Sequence, residues 1–560
     1  MHPYPAEPIR VIHSQGDDKS IGRSHAEQLG DAVGKGMPTF YADFWNRLIQ
    51  NPPTSDWLKP AARTASWLID PYLVRKLLKQ VPDSFLKRVE GVAEVSGRPL
   101  RELTTALVLP DLLPLLQAYL TKLRPANFVP PAPFPCMACS SFLWNGKYFL
   151  HGRNLDFPGV AYWDRFPVVQ SIRAKSAIPY LAFTTAGVPV GGITGVNQEQ
   201  ISVSLHQHYS RRASLSGKLP FVIAEEILQT ARSLDEALEI LRNARTATAW
   251  AFVLTDGKRR QGAIVECDAE TQAVRHLKEG PLTHSNFFQT AGCRAGEYAT
   301  SARMNWDNQY RARRLMNLLT AAGSDLEPAK AVTFLSDHWD EFWGEEKICN
   351  RVVSQTYNIQ SLCLDTERMK AWMAEGEAPI HLRQYVELDL GQIFSGSEGK
   401  TGVRLPGYQF RDPKKRVAKE RFIISFVEAF SGREEEASKN LIQALADDFF
   451  PEGAQILAML SWKKGDFPHA RDWLEKSKTW FEGRNPSKFP PEYFEASLFL
   501  ARTQDLLGKR SQAVRGYQAV AGHKDLEDEN LRRLAKREGP FRPAGVRRIV
   551  MPYSSYIPFE

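Results

Sequence analysis

Cysteine is scarce in this chain of 560 residues, which has six cysteines in all. A disulfide framework needs a higher density, so the small disulfide-stabilised classes of secreted domain are excluded. Cys136 and Cys139 form one Cys-x-x-Cys pair, which could belong to a redox or zinc site. No second such pair, and no histidine pair at zinc-finger spacing, follows it. The sequence therefore predicts no metal and no other cofactor.

Long apolar runs are also missing. No uninterrupted apolar stretch reaches about 18 residues, which excludes an ordinary transmembrane helix. The segment from Met1 to Pro8 has no basic part followed by an apolar part, so no secretory signal is visible. The sequence as it stands predicts a cytoplasmic chain.

Charge of one sign is nowhere concentrated. The chain has 72 Lys and Arg against 64 Asp and Glu, a net charge of +8 that is spread along its length. Nucleic-acid binding needs a concentrated basic surface, so no nucleic-acid partner is predicted. What is present, 43% hydrophobic and 24% charged residues, is typical of a folded soluble protein. The chain is longer than one ordinary hydrophobic core can serve, so two or three domains are predicted.

The pattern of residues divides the chain into five segments. Residues 1–123 have apolar positions mostly at helical spacing, and 124–138 form a linker in which prolines forbid helix. Residues 139–393 alternate short β-like runs with helical stretches such as 221–242 and 311–322, which indicates a mixed α and β domain. A second linker is predicted over 394–414 and a helical domain over 415–560. The predicted strands are 141–150, 168–171, 180–185, 201–205, 250–255, 263–267 and 361–364.

Glycines recur through the last segment. Gly432, Gly465 and Gly508 each stand between two helix-like stretches, at spacings of 33 and 43 residues. The first spacing is close to the period of about 34 of tetratricopeptide-type helical hairpins, and the second is stretched. This predicts a helical-repeat domain that could bind a protein partner. An irregular helical cap on the preceding domain is the alternative, because three hairpins are near the minimum for a continuous core.

A cysteine, an arginine and an aspartate stand close together at the start of the mixed domain. Cys139 opens the run Cys-Ser-Ser-Phe, and Arg153 and Asp156 follow in His-Gly-Arg-Asn-Leu-Asp-Phe. A thiol near pKa 8.5 needs a cation or base beside it to react at neutral pH. A hairpin turning at Asn145-Gly146 would bring Arg153 back to Cys139. Taken alone, the segment is more typical of an ordinary strand cysteine and a surface Arg–Asp pair than of a catalytic site.

The same segment resembles the nucleophile segment of the N-terminal-nucleophile (Ntn) hydrolases of the acid ceramidase, N-acylethanolamine amidase, bile-salt hydrolase and acyl-coenzyme A:6-aminopenicillanate acyltransferase group. Three further motifs resemble the family in the expected order. They are the element around Gly22 and His25, the Gly195-Val-Asn-Gln-Glu turn with Asn197, and His284-Ser-Asn-Phe-Phe with Asn286. The resemblance covers about residues 20–393.

The resemblance implies an α+β fold with an αββα four-layer Ntn core. It also implies a precursor that cuts itself between Ala138 and Cys139, which frees an α-amino group whose pKa of 7.7–8.0 suits a general base. Cys139 would be the nucleophile, and Arg153 would stabilise the thiolate or the substrate carbonyl. Asp156 would hold the new amino group, and the Asn286 side-chain amide would help to form the oxyanion hole.

A second arginine is expected after the oxyanion asparagine. Arg311 is the predicted residue, because the helix that it opens resembles the family's Ser-x-x-Arg-x-x-Arg pattern, with Asn308 in place of Ser. Arg303 and Arg314 are the alternatives, and a basic helix face that is merely solvated is a third.

Three residues are predicted to bind substrate: Asn197 by the resemblance, Trp144 because it flanks the nucleophile segment, and His206 as a polar residue at a strand end near the pocket. His206-x-His208 could instead ligate a metal, although no third ligand follows at a fixed spacing. Trp144, with the nearby aromatics Tyr162, Trp163 and Phe166, could line an acyl pocket or belong to the core.

Together these observations predict a self-processing cysteine amidohydrolase or acyltransferase. Cys139 would attack an N-acyl amide or acyl donor and form an acyl-thioester, which water or another acceptor would resolve. Two alternatives remain. One is a non-catalytic Ntn-like scaffold whose helical repeats bind a protein. The other is a working Ntn fold that never cuts itself and uses another base.

Overall fold

The structure is a computed structural model and describes residues 5–50, 70–122, 138–298, 302–536 and 540–546. Cys136 and all of the predicted linker 124–138 except Ala138 lie outside the described residues. Within the described part, no helix is long and apolar enough to cross a membrane.

Two β-sheets form the centre of the molecule. The larger has eight strands in the order β1-β4-β5-β6-β7-β8-β9-β10, and the smaller has seven in the order β11-β2-β3-β14-β15-β16-β17. The strands of the larger sheet are β1 (Arg10–Gly16), β4 (Pro167–Ala174), β5 (Tyr180–Thr185), β6 (Thr194–Asn197), β7 (Ile201–Gln207), β8 (Trp250–Asp256), β9 (Gln261–Cys267) and β10 (Gln272–His276). Those of the smaller sheet are β2 (Ala138–Asn145), β3 (Phe149–Asp156), β11 (Leu282–His284), β14 (Asn358–Asp365), β15 (Lys370–Ala374), β16 (Tyr385–Asp389) and β17 (Lys400–Leu405). A two-stranded ribbon pairs β12 (Trp339–Asp340) with β13 (Glu345–Glu346).

Helices cover the outer face of each sheet. A core cluster joins Ile21, Val89 and Leu112 to Val168 and Phe252 on the larger sheet. The helices of this layer and of the adjoining loops are α1 (Asp18–Leu29), α2 (Asp31–Lys35), α3 (Met37–Gln50), α4 (Arg75–Leu78), α5 (Asp83–Ser96), α6 (Leu100–Lys122), α7 (Pro220–Thr230), α8 (Leu234–Asn243) and α9 (Ala291–Arg294), with a π-helical turn at Asp70–Val74.

The smaller sheet is covered by α10 (Ala302–Ala322) and α11 (Pro328–Leu335), whose Leu315 and Leu335 pack against Phe142 and Cys363. Between the sheets, Leu181 and Phe183 of the larger pack against Leu362 of the smaller. The order of layers is helix, sheet, sheet, helix, so the predicted αββα core with additional helices is confirmed.

Within the part of the chain that the structure describes, three helical hairpins follow the sheets. After α12 (Leu390–Phe394), the helices are α13 (Pro413–Phe430), α14 (Glu434–Asp447), α15 (Pro451–Lys463), α16 (Phe467–Gly483), α17 (Pro491–Leu506), α18 (Arg510–Gly522), α19 (Glu529–Ala535) and α20 (Pro543–Val546). Gly432, Gly465 and Gly508 stand in the turns at φ of 81°, 78° and 74°, a left-handed conformation that favours glycine at a helix end. Assignment of these hairpins to the tetratricopeptide class stays a prediction.

The structure differs from the sequence-based expectations in the following elements of the fold. The segment Arg10–Gly16, inside the region predicted as helical, is a strand parallel to Pro167–Ala174. The helix predicted over 221–242 is two helices, because Ser233 caps a new one by accepting from the Glu236 backbone N–H. Strand Lys400–Leu405 extends the smaller sheet into the segment predicted as a linker.

Candidate active site

Cys139 lies on strand β2, at the end of the β2–β3 hairpin opposite its turn. The register pairs Cys139 with Leu155, Ser141 with Arg153, and Ala138 with Asp156. Side chains of paired residues share a face, and successive residues alternate. The Cys139 thiol and Arg153 therefore lie on one face of the hairpin, and Asp156 lies on the other. The turn spans Gly146 to Tyr148 rather than the predicted two residues.

Arg153 is the cation nearest to the thiol. Its Nη2 lies 3.8 Å from Cys139 Sγ, and both side chains are buried. No described residue accepts a hydrogen bond from its Nε or Nη1. The residue before Arg153 must be small, because a Cβ on Gly152 would lie 2.1 Å from the Phe142 ring. The Gly-Arg pair of the motif thus combines close packing with a charge.

Two opposing effects act on the pKa of the Cys139 thiol. Burial raises the pKa, and the Asp156 carboxyl adds to that effect, while Arg153, a hydrogen bond from the Asp156 backbone and Arg311 lower it. The net pKa lies above the usual value in the uncut chain. The thiol is therefore mostly protonated at neutral pH until the charge around it changes.

Asn286 binds the backbone of Cys139. Its Oδ1 accepts a short hydrogen bond from the Cys139 N–H, and its Nδ2 donates to the Gln207 carbonyl at 2.9 Å. The side chain was predicted to act through its amide N–H groups. In the uncut chain its oxygen faces the nucleophile, and one N–H is already used by Gln207.

Arg311 reaches Cys139 from the helix layer. Its Nη1 donates to the Cys139 carbonyl and to Ser140 Oγ, both at 2.7 Å. Asp307 holds the same guanidinium through Nε at 2.9 Å, and Asn308 accepts from Nη2. Residues three and four positions earlier on a helix share its face, so one turn of α10 supplies both partners.

The two alternative arginines lie elsewhere. Arg303 pairs with Glu495 at 3.2 Å, and Arg314 pairs with Asp337 at 2.9 Å. The structure thus brings Arg311, rather than Arg303 or Arg314, to the nucleophile.

Asp156 is a buried carboxyl with one unsatisfied oxygen. Oδ1 accepts from Asn358 Nδ2 at 2.7 Å, and no described residue donates to Oδ2. Burial raises the pKa of Asp156 to about 7, against the lowering effect of Arg311 and Asn358. The group is positioned to receive a new hydrogen-bond donor at the end of strand β2.

A mostly apolar cavity of about 100 Å³ reaches Arg153. Helices α3, α5 and α6 form one wall, and strand β3 with the loop after β5 forms another. Its lining includes Tyr41, Val92, Leu107, Leu155, Trp163 and Val190, with Asp111 as its buried carboxyl. Trp163 is the predicted acyl-pocket aromatic that the structure places here. Phe166 belongs to the core of the larger sheet, and Tyr162 packs against Phe40.

A second, polar pocket lies beside Asn286. Arg294, Glu297 and Asn308 line it together with Tyr209 and Tyr298. Burial raises the pKa of Glu297 to about 7. The region of the nucleophile therefore borders an apolar cavity through Arg153 and a polar pocket through Asn286.

The three predicted substrate-binding residues lie outside the lining of the apolar cavity. Asn197 holds its own turn, donating to the Leu228 and Ala231 carbonyls. Trp144 packs in the helix-covered core of the smaller sheet. His206 hydrogen-bonds to Ser141 Oγ at 2.7 Å between the sheets. The described residues contain no group of three or more His, Cys, Asp or Glu that could hold a metal.

Sequence reasoning missed three residues: Asp307 and Asn358, which hold Arg311 and Asp156, and Asp111, which lines the apolar cavity. The i,i+4 spacing of Asp307 and Arg311 was a signal that could have identified the first. Asn358 and Asp111 are distant from Cys139 in the chain, and no local pattern marks them.

Comparison with known proteins agrees with this geometry. A family model described as acyl-coenzyme A:6-aminopenicillanic acid acyl-transferase matches residues 144–378. Acid ceramidase of Rattus norvegicus is 21% identical over 214 residues, which are 34% of this chain and 48% of the relative. The chain thus spans about half the length of the curated relative that it matches. Both matches support the resemblance of the two-sheet domain to the Ntn-hydrolase superfamily.

Proposed function

We propose that this protein is a self-processing cysteine amidohydrolase or acyltransferase that cuts itself between Ala138 and Cys139 and then acts on N-acyl amides. One observation carries the proposal. The thiol of Cys139 lies beside Arg153, while Asn286 and Arg311 bind the backbone N–H and C=O of the same residue. Nucleophile, adjacent peptide bond and polar partners therefore meet at one residue.

Self-processing would be an acyl shift followed by hydrolysis. Cys139 Sγ attacks the carbonyl carbon of Ala138, the C–N bond breaks, and the thiol proton passes to the Cys139 nitrogen. Water then hydrolyses the thioester, leaving a carboxyl group on Ala138 and a free thiol and amino group on Cys139. Asn286 and Arg311 support this step because they fix the backbone on the amine side of the scissile bond.

The freed amino group would become the general base. Its ordinary pKa of about 7.7–8.0 matches neutral pH. Asn286 Oδ1 already accepts a hydrogen bond from this nitrogen. Asp156, whose Oδ2 has no donor among the described residues, pairs with Ala138 across the hairpin. These two oxygens would hold the amine, while Arg153 offers Nε and Nη1 to the thiolate or to a developing oxyanion.

The two pockets suggest the kind of substrate. Ligand sites for acyl chains are mainly apolar, and the cavity at Arg153 has that character. The pocket at Asn286 presents Arg294 and Glu297 instead. An apolar acyl group on the Arg153 side and a polar amine on the Asn286 side fit this arrangement. The acyl-thioester would then pass to water or to a second acceptor.

Intact mass and amino-terminal sequencing test the proposal. Wild type, Cys139→Ala and the matched control Cys363→Ala, a buried cysteine on strand β14, are incubated between about pH 4.5 and 8. We expect wild type and the control to give two fragments, one beginning at Cys139, and Cys139→Ala to stay whole. Native chromatography should keep the fragments together, because strand Arg10–Gly16 belongs to the larger sheet.

A wild-type chain that stays whole at every pH contradicts self-processing. Turnover of N-acyl amides by that whole chain would favour an Ntn enzyme with another base. A chain that neither cuts itself nor turns over N-acyl amides would favour a non-catalytic scaffold whose helical hairpins bind a protein.

A further inference from the structure

The apolar cavity contains a carboxyl group that the proposed reaction does not use. Asp111 lines the cavity and is 1% exposed. Its Oδ1 accepts from Trp250 Nε1 at 2.9 Å and from Thr248 Oγ1. Among the described residues, the hydrogen bonds to this carboxyl are made at Oδ1 and not at Oδ2. A buried carboxyl with one uncommitted oxygen is costly unless a donor reaches it.

The carboxyl is fixed relative to the nucleophile. The Pro110 carbonyl, next to Asp111, accepts from Gln207 Nε2 at 2.7 Å. The Gln207 carbonyl accepts from Asn286, whose oxygen binds Cys139. Gln207 and Trp250 also pair directly across strands β7 and β8. This chain of hydrogen bonds ties the helix carrying Asp111 to the site.

The charges in the cavity have opposite signs. Arg153 borders it on the side of the nucleophile, Asp111 is a separate buried acid, and most of the remaining lining is apolar. An acyl group whose carbonyl approaches Cys139 would extend its chain along the apolar lining. A positively charged or hydrogen-bonding substituent on that chain would find Asp111 as its partner.

We propose that Asp111 is a specificity-determining residue that binds an ammonium group carried by the acyl chain of the substrate. This inference rests on the proposed function and adds the class of acyl group, an amino-substituted aliphatic chain. An ammonium is the complement that both neutralises the carboxylate and donates to Oδ2. Burial raises the pKa of Asp111 to about 6, so the group is mostly ionised at neutral pH.

A matched series of substrates tests the assignment. Octanoyl, 8-hydroxyoctanoyl and 8-aminooctanoyl amides of 7-amino-4-methylcoumarin are compared by kcat/KM at pH 7.5. We expect wild type to prefer the amino compound over the octanoyl compound at least tenfold, with the difference mainly in KM. Asp111→Asn should reduce that ratio to one or below, because the amide keeps an oxygen for Trp250 and Thr248 but has no charge.

Binding to the uncut Cys139→Ala chain separates this inference from the proposed function. The same three amides are titrated calorimetrically into Cys139→Ala and into Cys139→Ala with Asp111→Asn. If Cys139→Ala binds the amino compound most tightly and the double variant loses this preference, the role of Asp111 is supported even without turnover. Turnover by wild type with amino and octanoyl compounds within twofold of each other, or no preference in binding, overturns the inference. Equal melting temperatures of the two proteins exclude misfolding as the cause.

Discussion

At the scale of the residue, two arginines approach Cys139 from opposite faces of one strand and differ in their partners. Arg311 donates to the Cys139 carbonyl and is itself held by Asp307. Arg153 has the Cys139 thiol as its hydrogen-bond partner and retains two nitrogen atoms without an acceptor among the described residues. Arg311 is therefore suited to fixing the backbone, and Arg153 to stabilising a charge that develops during the reaction.

Arg153→Gln should slow self-processing and move it to higher pH. Burial of the thiol persists in the variant while the nearest cation is lost, so the pKa of Cys139 rises further. We expect a rate lower by roughly a hundredfold at neutral pH, as for removal of one preorganised donor. Fragment formation followed by mass spectrometry between pH 5 and 9 measures both effects. Arg313→Gln, at an exposed position on α10, is the control. If Arg153→Gln cuts itself with the same rate and pH profile as wild type, Arg153 has no part in the reaction.

Asp156 makes the stability of the uncut chain depend on pH. Its folded pKa of about 7 lies above the ordinary value of 3.8, so its contribution is fully present below pH 3.8 and is lost as pH rises through 7. In a Cys139→Ala background, Asp156→Asn should therefore gain stability relative to Asp156 between pH 4 and 8. The gain is limited to about 1.4 kcal/mol per pKa unit. Urea unfolding at each pH measures it, and a difference that does not change with pH would contradict the buried charge.

The short motif allowed the sequence to predict Cys139, Arg153 and Asp156 together, because a hairpin brings its two strands side by side whatever the turn length. Arg311 could be predicted only through resemblance, since Arg303 and Arg314 share its helix. Tertiary partners decide between them: Asp307 and Asn308 hold Arg311 inward, whereas Glu495 and Asp337 attract the others. Asp111 could not be predicted, because no local pattern marks one carboxyl on a mainly apolar helix, and only tertiary packing places it in the cavity.

At the scale of the element, glycines allow two amino-terminal helices to touch. A Cβ on Gly22 of α1 would lie 1.8 Å from the Arg88 carbonyl oxygen, and one on Gly91 of α5 would lie 2.2 Å from the Lys19 carbonyl oxygen. His25, on the same helix as Gly22, bonds to Gln170 of the larger sheet at 2.9 Å. The amino-terminal motif around Gly22 and His25 thus packs this helix pair onto the sheet.

Gly22→Ala should destabilise the protein by about 1–3 kcal/mol, the usual cost of overpacking a well-filled contact. The added methyl group meets backbone rather than a flexible side chain, so the helices must separate. Gly34→Ala on α2 is the control, because its Cβ would meet no atom within 4 Å. The control should be neutral or stabilising by up to about 1 kcal/mol. Denaturant unfolding of both variants checks this, and equal stabilities would contradict the close approach.

The strands inside 139–393 could be predicted because they are short, apolar and bounded by turn residues. Strand Arg10–Gly16 was not predicted, because its partner, Pro167–Ala174, lies far away in sequence. Local β-propensity carries no information on such a long-range pairing. Strand Lys400–Leu405 is mainly exposed at the edge of the smaller sheet, so it lacks the buried alternation by which strands are recognised.

At the scale of the whole molecule, the helical hairpins are tied to the two-sheet domain by buried charge. Arg351, before strand β14, contacts Glu492 of α17 at 2.5 Å, and Lys347 contacts Glu452 of α15 at 2.7 Å. Helix α13 adds Phe426 and Phe430 to a cluster that includes Cys139. The hairpins therefore complete the packing around the nucleophile.

Glu492→Ala should weaken both the fold and the site. Removing one partner of a buried ion pair leaves Arg351 undercompensated and costs about 3–5 kcal/mol. Glu435→Ala removes an exposed pair with Lys439 and should leave the free energy of unfolding nearly unchanged. Urea unfolding in a Cys139→Ala background measures these losses, and self-processing in otherwise wild-type chains measures the effect on the site.

The pH dependence of this loss identifies its cause. Burial alone would raise the pKa of Glu492, but Arg351 and Arg303 lower it to about 2. The carboxylate therefore stabilises the fold fully above its ordinary value of 4.5, and this contribution is lost as pH falls toward 2. The difference in free energy of unfolding between Glu492→Ala and the protein that retains Glu492 should therefore become smaller as pH falls from 4.5 toward 2. A difference that stays constant would assign the loss to packing, and unchanged self-processing would separate the hairpins from the chemistry at Cys139.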